Sequence, residues 1–106
     1  MTRVRVKSGV CGFEAQIDVQ KTEKSKVTIS LSSNCQQIGC LAKELTDLTM
    51  MEVLKPPILK NPVYEKAGQC GSHNSCPVPS GVLKAAEVEL GLALKKNAVI
   101  EFHEKD

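Results

Sequence analysis

Apolar and polar residues alternate in three runs before residue 32. Val4 and Val6 oppose Arg3, Arg5 and Lys7; Phe13, Ala15, Ile17 and Val19 oppose Glu14, Gln16 and Asp18; Val27, Ile29 and Leu31 oppose Lys26, Thr28 and Ser30. A period of two puts one set of side chains on a core face and the other in water, so each run predicts a half-buried strand. The breaks, Ser8-Gly9-Val10-Cys11-Gly12 and the polar stretch 20–24, are short. Short links between successive strands predict a three-stranded antiparallel meander.

The period changes at Ser32-Ser33-Asn34, where Ser33 and Gln36 have the spacing of a capping box. Ile38, Leu41, Ala42, Leu45 and Leu48 then recur at helical spacing, which predicts a helix from about Cys35 to Leu48 whose apolar stripe covers one face of the sheet. Residues 49–79 are punctuated by Pro56, Pro57, Pro62, Gly68, Gly71, Pro77 and Pro79. They predict ordered loop with a helical turn at 62–66, and a loop this long is usually functional or held by something. From Ser80, read as a cap, Val82, Leu83, Ala86, Leu90 and Ala93 predict a second helix ending near Lys96-Asn97, and Ala98 to His103 predict a fourth strand. The expectation is one cysteine-rich α+β domain over 1–106: a three-stranded antiparallel meander plus a C-terminal strand, with two main helices packed on the sheet.

Composition narrows the function. The chain has 106 residues, 42% hydrophobic and 25% charged, with a net charge of +2 and only Phe13, Tyr64 and Phe102 as aromatics. So few rings argue against base-stacking nucleic-acid modules, and so small a charge against an electrostatic footprint for DNA or an anionic membrane. Arg3, Arg5 and Lys7 read as the wet face of a strand. No apolar run approaches the ~20 residues that span a bilayer, and a cytoplasmic location is expected. GxSxG, HExxH and glycine-rich phosphate loops are absent, and Glu44 and Asp47 read as a solvated helix face, so the chain is not expected to be an enzyme.

The anomaly is five cysteines, an odd and high count. In a reducing compartment such a set points to metal binding or thiol chemistry rather than structural disulfides. Cys11 lies between glycines at a strand junction, Cys35 at a helix start, and Cys70 and Cys76 in the irregular loop with His73 between them. Cys35 is the best single ligand candidate, because the N–H groups and dipole at a helix start favour negative charge. Cys40 points away from the helix stripe and is a fifth or alternative ligand. The plain alternative is that cysteines act as small buried hydrophobes. It is weaker for Cys11, Cys70 and Cys76, which sit among glycine, serine and proline. His103 reads as an exposed surface histidine.

In order and spacing the layout resembles the IscU/NifU-type iron-sulfur cluster scaffold proteins. Val10-Cys11-Gly12 precedes a strand, Asn34-Cys35 a helix, and Ser75-Cys76 a helix containing Leu83-Lys84-Ala85-Ala86. Leu54-Lys55-Pro56-Pro57-Ile58-Leu59-Lys60 resembles a shifted form of the Leu-Pro-Pro-Val-Lys segment that the family's co-chaperone recognises. Phe13 stands where those scaffolds carry an aspartate associated with cluster release, their histidine beside the third cysteine is displaced to His73, and Cys40, Cys70 and the final strand are additional. The resemblance implies cluster binding and contact with cluster-assembly or acceptor proteins; a site that retains its metal fits equally well.

The leading expectation is therefore a metal or iron-sulfur protein in which Cys11, Cys35 and Cys76 supply thiolates and Cys70 or His73 completes four-coordination, with an iron-sulfur cluster or zinc as cofactor. A second reading is a thiol-active redox or sulfur-carrier protein with Cys35 as nucleophile and Cys40 or Cys76 resolving it. A third is a structural zinc or partner-binding module.

Overall fold

The computed structural model describes residues 1–104. The three alternating runs form β1 (Thr2–Lys7), β2 (Glu14–Glu23) and β3 (Lys26–Ser33), paired antiparallel in sequence order. Ala15, Ile17, Val19, Val27, Ile29 and Leu31 are buried on one face, while Arg3, Arg5, Gln16, Ser30 and Ser32 are exposed on the other. The alternation is thus realised as a sheet covered on one side only.

Two helices provide the cover. Helix α1 (Gln36–Glu44) lies on β3, burying Ile38 and Leu41. Helix α4 (Val78–Glu89) lies across β1 and β2, burying Val78, Val82, Ala85 and Ala86. Leu41 and Val82 are fully buried, and each such side chain contributes about 1.5–3 kcal/mol of transfer free energy. Two short helices, α2 (Met50–Leu54) and α3 (Pro62–Gln69), flank a 3-10 turn at Ile58–Lys60. Asn61 joins them: its buried amide nitrogen donates to the carbonyls of Glu52 (3.1 Å) and Val53 (3.2 Å), and its Oδ1 caps α3 by accepting from the Val63 N–H (3.0 Å).

A fourth antiparallel strand completes the sheet, but not the one expected. It is β4 (Asp47–Thr49), paired with β3. The helix foreseen through Leu48 ends at Glu44, because Thr49 begins α2 in a capping box with Glu52. The expected strand at Ala98–His103 and the extension of the last helix to Lys96-Asn97 are both corrected. Helix α4 stops at a Schellman motif, with Gly91 at φ +77°, its N–H on the Val88 carbonyl (3.0 Å) and the Leu92 N–H on the Glu87 carbonyl (2.8 Å). Residues 92–104 then form no strand and lie exposed. The helix also begins earlier than Ser80, at Val78. Among the described residues no helix is long and apolar enough to cross a membrane.

Glu89, at the end of α4, holds the far end of the sheet. Its carboxylate, 11% exposed, accepts from the Thr2 hydroxyl (2.7 Å) and the Lys21 N–H (2.9 Å) and lies 3.7 Å from the N-terminal ammonium. The Lys21 hydrogen bond first, then that of Thr2, hold its pKa below the ordinary carboxylate value, against the opposing effect of burial. A carboxyl whose pKa is lowered by folding adds stability above its unfolded value, about 4.3, and that contribution is lost as the pH falls through the folded value. Urea unfolding measured at descending pH should therefore show wild-type stability falling below about pH 4 more steeply than that of Glu89→Gln. The two should differ most near neutrality, with the variant less stable.

Candidate functional site

The antiparallel register brings the end of β1, the start of β2 and the end of β3 to one edge of the sheet: Lys7 faces Glu14, and Ala15 faces Ser33. The turn beyond Lys7 carries Cys11. The Ser8 N–H donates to the Phe13 carbonyl (3.1 Å) and the Gly12 N–H to the Gly9 carbonyl (2.8 Å), leaving Val10 and Cys11 at the tip. Gly9 and Gly12 take φ of +89° and +76°, which a side chain would oppose. Cys11 is exposed there.

Cys35 leaves β3 after one intervening residue and serves as the N-cap position of α1, without a side-chain hydrogen bond to the backbone of the helix. Ser33 orients it instead of forming the expected capping box: its hydroxyl donates to the Glu14 carbonyl (2.6 Å) and accepts from the Cys35 N–H (3.2 Å). The Cys35 thiol donates to Gln37 Oε1 at 3.2 Å.

The third element arrives from α3, which also ends in a Schellman motif. Gly71, at φ +75°, donates to the Gly68 carbonyl (3.1 Å), and the Ser72 N–H to the Ala67 carbonyl (3.0 Å). The chain then turns from His73 to Cys76, closed by the Cys76 N–H on the His73 carbonyl (3.1 Å), and enters α4.

Cys11, Cys35, Cys76 and His73 all line one cleft of about 570 Å³, with Val10, Phe13, Ile38, Pro77 and Val78 as apolar walls. Four candidates separated by up to 65 positions in sequence thus share a surface. The cleft is wider than a closed cage: as placed, no three Cys, His, Asp or Glu side chains among the described residues come within reach of one ion. Ser72 also lines the cleft, and its Oγ is buried with no hydrogen-bond partner. Sequence reasoning passed over Ser72 for want of a charge or a soft donor atom, although Gly71 marks the helix end that positions it.

Cys40 and Cys70, both held above as candidate ligands, are joined in a disulfide with a Cα–Cα distance of 5.7 Å. In this oxidised form neither has a thiolate to offer. The bond ties α1 to the end of α3, so it braces the loop that carries His73 and Cys76 against the helix that begins beside Cys35. Cys11, Cys35 and Cys76 are the free thiols. His103 is exposed in the C-terminal segment.

Fold and site together define an α+β domain with a cleft of free cysteines at one end of a one-sided sheet. Residues 2–102 match a family of unknown function (DUF6951), and the chain belongs to that family. No curated protein and no solved structure matches it.

Thiol titration of the unfolded, unreduced protein should detect three free thiols, and five after reduction. Because the bond closes a 30-residue separation, reduction should lower the unfolding free energy by about 3–4 kcal/mol in a denaturant titration. A count of five thiols without reductant contradicts the pairing.

Proposed function

We propose that the cleft binds a metal ion or a small iron-sulfur cluster through the thiolates of Cys11, Cys35 and Cys76, with His73 as fourth donor, and that the domain acts as a scaffold or carrier for that cargo. The observation that carries this reading is the sorting of the cysteines. Two are joined in a brace, and the three left free line the same cleft as the one histidine of the loop. Three sulfurs and an imidazole are a donor set suited to zinc and to iron-sulfur clusters. The apolar wall of Phe13, Ile38 and Val78 limits water around such a centre, and Ser72 Oγ is a hydroxyl free to hydrogen-bond a bound sulfide or ligand. Binding requires the hairpin tip and the 70–77 loop to turn their side chains inward.

The order of the cleft residues along the chain is the order in which they resemble IscU/NifU-type scaffolds. The segment Leu54–Lys60 leaves Leu54, Ile58 and Leu59 exposed, where an assembly or acceptor protein can reach them. Phe13 in place of the scaffolds' aspartate favours a cargo that is kept as much as one that is passed on.

The Cys40–Cys70 disulfide favours a second reading, thiol chemistry, with Cys35 as nucleophile and Cys76 resolving it. Anaerobic purification followed by elemental analysis and absorption spectroscopy separates the two. The metal reading predicts iron with sulfide and visible absorption, or one equivalent of colourless zinc, with most of the metal lost in Cys11→Ser, Cys35→Ser or Cys76→Ser and retained in Cys40→Ser. Metal-free protein in every preparation and after reconstitution, with Cys35 alkylated much faster than Cys11, leaves only the thiol reading.

A further inference from the structure

Two unsatisfied features remain away from the cleft. The first is the outer edge of β1: the strand order is β1-β2-β3-β4, so among the described residues no strand pairs with that side of Thr2–Lys7. An open edge of six residues presents free N–H and C=O groups that template another strand. The second is the segment after α4, in which Val99, Ile100 and Phe102 are exposed, Ile100 by 87% and Phe102 fully.

The two are complementary. In an extended 98–103, Ala98, Ile100 and Phe102 fall on one face and Val99, Glu101 and His103 on the other. Along β1, Thr2, Val4 and Val6 face α4, while Arg3, Arg5 and Lys7 face solvent. Laid on the open edge with its apolar face toward α4, the segment sets Ile100 and Phe102 beside the half-buried Val4 and Val6. It also sets Glu101 beside the arginines on the wet face, and opposite charges on neighbouring strands attract.

We propose that the chain forms a symmetric dimer in which residues 98–103 of each copy add as a strand to the outer edge of β1 of the other. Glu89 fixes the end of α4 beside Thr2, so the segment departs next to the strand edge in question. Residues 92–97 extended reach about 20 Å, enough to cross to a neighbour. A twofold exchange covers the open β1 edge and the exposed segment of both copies at once and closes on itself, whereas one-way addition builds a filament. The proposal is independent of what the cleft binds.

Light scattering and sedimentation on the full chain test it. The expected mass is twice 11.5 kDa, falling to 11.5 kDa in the double variant Ile100→Asp/Phe102→Asp with an unchanged far-ultraviolet spectrum. Glu101→Arg should raise the dimer dissociation constant about tenfold, since it sets like charges together in both halves. Adding Arg5→Glu to that variant should restore it. A chain that is monomeric at every concentration overturns the proposal, including one whose 98–103 amides are protected from exchange by its own β1. So does a dimer that survives the Ile100→Asp/Phe102→Asp substitutions.

Discussion

Helix α4 crosses the sheet at a distance that only glycine permits at position 81. A Cβ there would lie 2.7 Å from Val6 Cγ2, closer than packed atoms approach, and 3.2 Å from Ile17 Cδ1, a tight contact. The close approach sets the depth of the helix on β1 and β2, and Glu89 at the far end sets its direction by holding Thr2 and Lys21. With both fixed, the start of α4 has one place to go: the edge of the sheet where β1 ends and β3 gives way to α1. Cys76 immediately precedes that helix and is thereby carried to the side where the hairpin tip holds Cys11 and the α1 start holds Cys35.

The cleft is thus a consequence of packing on a one-sided sheet. No residue in it is contributed by a regular run of functional side chains; each sits where an element begins or a turn closes. Glycines 9, 12 and 71 supply left-handed backbone at those points, and Ser33 spans from Glu14 to Cys35 to bind two chain segments together. The Cys40–Cys70 bond braces the same region from behind, linking α1 to the end of α3. That division of labour, two cysteines for the frame and three facing the cleft, gives the odd cysteine count a physical meaning.

Much of this was legible in the sequence, for identifiable reasons. The inward residues of β2 and β3 announced themselves by strict alternation, and every one from Ala15 to Leu31 on that face is buried. That Cys11, Cys35 and Cys76 line one cleft was legible in their positions at element boundaries, although as placed their side chains do not close on one ion. Leu45 and Leu48 misled because their spacing of three suits a helix as well as it suits the end of one and a strand beyond it; both are buried, but by different elements. Gly91 marked the true end of α4, and the apolar residues that follow disguised it. The Cys40–Cys70 pairing was not readable at all, since it depends on the angle at which α3 meets α1. The alternation at 98–103 suits a strand, but the structure forms none there and leaves the segment exposed.

The proposed metal site requires three thiols and one imidazole to close on a common centre. X-ray absorption at the zinc edge of protein loaded with one equivalent of zinc measures that directly. The predicted first shell holds three sulfurs and one nitrogen, with a sulfur lost in Cys11→Ser, Cys35→Ser or Cys76→Ser. A shell of oxygen and nitrogen alone would overturn the proposed site, because it would mean that the cysteines share a cleft without sharing a ligand.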